Sequence, residues 1–135
     1  MTQPAASLDD LLDLMPYART TGVRLAEASA SLVRGSLSWA PELCTASGVL
    51  HGGAVMTLAD SVGAVCAYLN LPAGATTSTV ESKTNFFRGV RSGILEAVAR
   101  PLHTGASFIV VQTDLIDDTG RAVGLTIQSQ TVRSA

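Results

Sequence analysis

One stretch constrains the fold more than any other: HGGAVMTLADSVGAVCAYLN, residues 51–70, long, proline-free and apolar nearly all round. A helix that is apolar on every side belongs inside a molecule. The expected helix runs from about Gly52 to Leu69 and ends at LPAG, Leu71 to Gly74. The remaining residues have to supply a shell for it.

That shell reads mostly as strands. Ser7 opens a short first helix, with Asp10 three residues on in a capping-box arrangement, and the helix is expected to end near Pro16. Strand-like runs follow at Val23 to Ala28 and Ser31 to Trp39. In the second, Val33, Gly35, Leu37 and Trp39 alternate with Leu32, Arg34, Ser36 and Ser38, the period of a half-buried strand. After a loop at Pro41 to Gly48 and the long helix come Thr76 to Phe87, Gly93 to Leu102, Ala106 to Leu115 and Arg121 to Val132. A DDTG turn, Asp117 to Gly120, precedes the last of them. Four successive strands with short links predict an antiparallel meander. The long helix is the only element able to cover the buried face of that sheet. The expectation is an α+β chain, an antiparallel sheet wrapped around one helix, forming a single domain over 1–135 with 1–20 as N-terminal helix and lead-in.

Composition excludes several functions. Charged residues are 15% of the chain and hydrophobic ones 47%, which suggests surface buried against partner subunits. The net charge of −2, a single lysine (Lys83) and an aromatic content of 4% supply neither a phosphate-binding basic patch nor stacking platforms, so nucleic acid is not an expected partner. Two cysteines, Cys44 and Cys66, make no disulfide framework: Cys66 reads as a small buried hydrophobe, and Cys44 as a bystander or pocket lining. The start MTQPAASLDD has no signal-peptide pattern, and Asp60 with several small residues interrupts the longest apolar stretch. The reading is a cytoplasmic, soluble protein that takes no membrane as partner.

The chemistry sits in the same long helix. Two glycines at its start, Gly52 and Gly53, let a ligand approach the backbone, and first-turn N–H groups lack internal partners. Such donors suit a carbonyl oxygen that gains negative charge in a transition state. His51 beside them is readable as a loop histidine or as an added donor. Asp60 is flanked by Leu58, Ala59, Val62 and Ala64 in a chain with few cations to pair it. A buried carboxylate costs several kcal/mol unless partnered. It is either a structural hydrogen-bonder or a functional acid, and both readings stand open.

Spacing adds a constraint. From residue 52 to residue 60 is about 12 Å of helix. A carboxylate acting on a carbonyl held at the helix start has to come within a few ångströms of it. Two helices related by a twofold meet this condition if each Asp60 faces its partner's Gly52. A homodimer with two shared sites is expected.

GVLHGGAVMTLADSVGAVCAYL, TVESKTNFFRGVRSG, ARPLHTG and DDTGRAVGLTIQSQT together resemble the hot-dog thioesterases of the hydroxybenzoyl-CoA and phenylacetate-pathway branch. The resemblance runs from about residue 20 to 132, and HGG followed by six residues and an acid is its specific part. It implies the hot-dog fold, a homotetramer, an acyl-CoA substrate and no cofactor. It further implies that the Gly52 N–H polarises the thioester carbonyl, that His51 supports it, and that Asp60 attacks or activates water. Thr45, Gly53, Ser61, Ala64, Ser78 and Thr79 would lie about the substrate. Thr45 stands where relatives often carry Asn or Gln, and Ala64 where they often carry Ser or Thr. Ser78 or Thr79 is then expected to supply the hydroxyl.

By the same resemblance, Arg88, Gly89, Val90 and Arg91, with His103, Thr104 and Gly105, would border CoA. Arg88 and Arg91 are equally readable as solvated arginines, and His103 as a turn histidine. Two histidines and two scattered cysteines do not make a metal site, and neither a GxSxG elbow nor a Walker loop occurs. The expected function is hydrolysis of a small aromatic or medium-chain acyl-CoA to free acid and CoA. The alternatives are a hot-dog hydratase or dehydratase, whose differently placed His and acid are not found after Asp60, and a non-catalytic acyl-CoA-binding protein.

Overall fold

The computed structural model describes residues 6–134. Ser7 caps helix α1 (Leu8–Asp13): its hydroxyl accepts from the Asp10 N–H at 3.0 Å, and the Asp10 carboxylate accepts from the Ser7 N–H at 3.1 Å. Pro16 does not merely end this helix but opens a second, α2 (Pro16–Thr21). A first-turn N–H has no intrahelical partner, so proline loses nothing there. Gly22, at φ 103°, closes α2 in the left-handed region.

Strands β1 (Arg24–Ala28) and β2 (Val33–Ser38) precede helix α3 (Gly52–Leu69), and β3 (Thr79–Phe86), β4 (Ile94–Thr104), β5 (Phe108–Ile116) and β6 (Ala122–Thr131) follow it. They form one antiparallel sheet in the order β1-β2-β4-β5-β6-β3. The expected meander of four holds only for β4, β5 and β6. Strand β3 pairs with β6 at the opposite edge and does not touch β4 as a neighbour. The cause is occupancy: one side of β4 is taken by β2, from Val33 opposite Ala99 to Ser38 opposite Ile94, and the other by β5.

Helix α3 touches all six strands. Val55, Leu58, Ala59, Val62, Val65 and Cys66 are buried in one cluster with Leu37, Leu95, Ile109, Val111 and Leu115 of the sheet. Each such large aliphatic side chain contributes about 1.5–3 kcal/mol by leaving water. By length and apolarity α3 would pass for a membrane span, but half of it is buried inside this sheet. A core helix meets the same criteria. The antiparallel sheet around one long helix is the expected hot-dog architecture.

The two strands beneath α3 on this side differ in what they turn inward. Strand β5 presents Ile109, Val111, Thr113 and Leu115; β6 presents Thr126, Gln128 and Gln130. In register, Gln128 lies between Val111 and Ser82, and Gln130 between Ile109 and Thr79.

Candidate functional site

The start of α3 is built around His51. Its Nδ1 accepts from the Gly53 N–H at 2.7 Å, and its carbonyl accepts from the N–H groups of Ala54 and Val55. An accepting Nδ1 places the ring proton on Nε2. The His51 N–H itself donates to the Leu43 carbonyl at 2.9 Å, tying the helix start to the preceding loop. Gly53 is required for this cap, since a Cβ there would stand 2.9 Å from His51 Nδ1. Of the first-turn amides, only the Gly52 N–H makes no hydrogen bond among the described residues. That leaves one open donor, half-buried and set opposite the Phe86 ring at the end of β3.

Asp60, two turns on, is half-buried opposite the start of β3. Its Oδ1 accepts from the Thr79 hydroxyl at 2.8 Å and from Gln128 Nε2 at 3.0 Å. Gln128 Nε2 also donates to Gln130 Oε1 at 3.0 Å, Thr79 Oγ1 makes a further short contact with that oxygen, and Gln130 Nε2 donates to Thr77 Oγ1 at 3.2 Å. Thr79 has a single hydroxyl proton for two acceptors, and the carboxylate is the stronger of them. Asp60 Oδ2 makes no hydrogen bond, and no cation pairs with Asp60, among the described residues. The carboxyl group is thus held by neutral donors on one oxygen, while the other makes no hydrogen bond among the described residues.

Gln128 and Gln130, with 0% and 1% of their surface exposed, had no place in the sequence analysis. Nor did Gly63, where a Cβ would fall 2.1 Å from Gln128 Oε1. The helix is notched at Gly63 so that the amide can reach Asp60.

Thr79 and Gln130 also line a cavity of about 340 Å³, with Ala64 and Tyr68 of α3, Leu11 of α1 and Met15 between α1 and α2. Ser78 lines it as well, and its backbone is tied to Thr131. Of the remaining residues expected near substrate, Ser61 is buried and gives its hydroxyl to the Thr57 carbonyl at 2.6 Å. Thr45 is exposed in the turn where its N–H meets the Val49 carbonyl, and no hydrogen bond joins it to Asp60 or His51.

The residues expected to border CoA form two groups. Arg88, Gly89, Val90 and Arg91 line one cleft, beside Arg121 and the turn at Asp117. His103, Thr104 and Gly105 sit at the other end of β4, where the His103 ring packs over Gly105. An eleven-residue strand separates the groups by roughly 35 Å, so within one chain they do not meet. Arg91 donates to the Ser47 carbonyl at 2.9 Å, while Arg88 makes no ion pair among the described residues.

Burial pushes the Cys66 thiol up to about 12, well away from nucleophilic use. Among the described residues no three His, Cys, Asp or Glu side chains gather as a metal site requires.

A family model described as Thioesterase superfamily matches residues 47–123, from the loop before His51 to the start of β6. The 1,4-dihydroxy-2-naphthoyl-CoA hydrolase of Escherichia coli is 38% identical over 74 residues, which are 55% of this chain and 54% of that protein. The chain therefore aligns with about half the length of that relative. A mutant thioesterase of Pseudomonas aeruginosa superposes with a TM-score of 0.89 at 26% identity, covering 98% of this chain and 97% of the other. A thioesterase of Haemophilus influenzae superposes at 0.90 with 23% identity, over 97% and 93%, and shares the fold. With its model matching more than half the sequence and its architecture matched nearly end to end, the chain belongs to the thioesterase superfamily, a family of thioester hydrolases on the hot-dog fold.

Proposed function

We propose that this chain hydrolyses an acyl-CoA thioester, with a small aromatic or medium-chain acyl group, to the free acid and CoA. One observation carries the reading: Asp60 is a carboxylate in an apolar helix, fixed through Oδ1 by uncharged donors, with Oδ2 free and a cavity adjoining its partners. The Gly52 N–H is the matching electrophilic element, an open donor at a helix start. The acyl group is assigned to the 340 Å³ cavity, within the size range of small-molecule pockets.

In one route water adds its oxygen to the thioester carbon while Asp60 takes its proton, and collapse of the adduct breaks the C–S bond. In the other, Asp60 attacks that carbon and the C–S bond breaks to leave a mixed anhydride, which water then cleaves at the Asp60 carbonyl; in both, CoA leaves as thiolate to be protonated. In either route the carboxylate and the carbonyl meet at one place, whereas about 12 Å of helix separates Gly52 from Asp60 within a chain. The edge strand β3 supports a shared site. One of its sides has no strand neighbour among the described residues, and Val80 and Phe86 of this strand are exposed. Natural proteins cover such edges. A second copy of β3 laid antiparallel would set its Phe86–Gly52 end beside the first copy's Thr79–Asp60 end. A homodimer is the minimum assembly for this reading, a homotetramer is compatible with it, and a cytoplasmic location would supply CoA. CoA would then take its protein contacts from more than one copy, including Arg88.

The test is thiol release from a panel of aryl- and acyl-CoA esters, with Asp60→Asn as control. The wild type releases CoA in many turnovers, beyond the single equivalent that half-exposed Cys44 can contribute to a thiol reagent. Asp60→Asn keeps the fold and assembly and loses roughly 10²–10⁴-fold in kcat. Activity retained in that variant removes Asp60 from the chemistry, and binding without release identifies a sensor. Single turnover in isotopic water separates the routes, since label enters Asp60 only through the anhydride.

A further inference from the structure

We propose that Gln128 and Gln130 are positioning residues for Asp60, and that Gly63 exists to admit them. This rests on Asp60 acting as proposed above. Glutamine is rarely buried completely, and two at adjacent inward positions of one strand are costly unless every polar atom is satisfied. Here the cost is not fully recovered: Gln128 Oε1 is buried without a partner among the described residues. Leucine or methionine would fill the same space without an orphan oxygen. What the amide does that they cannot is donate twice from a single nitrogen, to Asp60 Oδ1 and to Gln130 Oε1. Gln130 in turn is fixed by Thr77 and meets Thr79, the other donor to Asp60.

The result is a closed set of contacts from β3 and β6 that grips one carboxylate oxygen from two directions. Gripping Oδ1 fixes the plane of the carboxyl group and so decides where Oδ2 stands. Both donors are neutral, so the charge needed for attack or proton abstraction is retained. A lysine or arginine there would neutralise it. The inward turn of Gln128 also excludes any side chain at position 63, because a Cβ and Gln128 Oε1 cannot share 2.1 Å.

Gln128→Met keeps the volume and removes the donor. It is expected to lower kcat about 10–100-fold with KM changed less than about twofold, the signature of a misplaced reacting group. Gln130→Met, one contact further out, is expected to cost roughly threefold to tenfold. Gly63→Ala tests the same geometry from the helix side: its Cβ displaces the Gln128 amide, so kcat falls as in Gln128→Met with KM changed as little. In an Asp60→Asn background the Gln128→Met loss disappears, because nothing is left to position; a structural role would lower the residual rate again. Full kcat in Gly63→Ala and Gln128→Met, or equal losses in both backgrounds, overturns the proposal. Absence of thiol release by the wild type overturns the parent reading instead, and that failure is seen before any variant is made.

Discussion

Strands β5 and β6 lie side by side under the same helix, hydrogen-bonded along their length, yet the inner face of β5 is mainly aliphatic and that of β6 mainly polar. Strand β5 offers Ile109, Val111 and Leu115, which pack; β6 offers Thr126, Gln128 and Gln130, which bond. A core that needed only stability would not set Gln128 and Gln130 where its neighbour sets Val111 and Ile109. The contrast separates a half of the core that holds the fold from a half that holds Asp60.

Truncating the apolar half should produce the largest change in stability. Leu115→Ala, at a fully buried site, is expected to cost about 2–5 kcal/mol in urea unfolding. Its folded fraction should keep a wild-type kcat; a catalytic loss would mean that the two halves are not separate. The comparison sharpens at the two threonines facing each other across β5 and β6. Thr113 Oγ1 is buried without a partner, whereas Thr126 Oγ1 bonds Thr84 Oγ1 at 2.7 Å. Thr113→Val should therefore stabilise by about 1 kcal/mol, and Thr126→Val should destabilise by about as much, read as opposite shifts in melting temperature. Equal signs would show that hydrogen bonding does not distinguish the strands. The smallest effect belongs to the turn joining them. There the Thr119 hydroxyl, then the Arg121 N–H, hold the Asp117 carboxyl down to about 2, below its ordinary 3.8. A depressed carboxyl contributes stability above its unfolded value and loses it as pH falls through the folded one. The contribution is complete above about pH 4 and lost toward pH 2, and Asp117→Asn should remove that part of the acid dependence in a melting-temperature profile.

The apolar half could be read from sequence and the polar half could not. The proline-free, largely apolar run from Gly52 to Leu69 marks the helix, and alternation in β5 identifies the faces because one phase is mainly aliphatic. In LTIQSQT both phases are mixed. The usual rule would turn Leu125 and Ile127 inward, but Ile127 is exposed and Gln128 fully buried. The signal that decides this phase is Gly63, on another element, and it becomes visible only once α3 lies on β6. Strand order was hidden for a similar reason, since the place of β3 depends on which side of β4 is already filled. Asp60, His51 and Gly52 stood out in the sequence because the proposed chemistry, which needs an open amide and an acid, restricts residue type and spacing. Thr79 emerged as one of two hydroxyls in the next strand, and the structure joins it, rather than Ser78, to Asp60.

Strand β3 ends at Phe86, and β6, its only strand neighbour among the described residues, begins at Ala122. During synthesis the helix bearing Asp60 and the strand bearing Thr79 therefore leave the ribosome well before the segment that holds them together. The Asp60 cluster is completed only when β6 has emerged, so a nascent chain stalled before Gln128 would carry its acid without the amides that hold it.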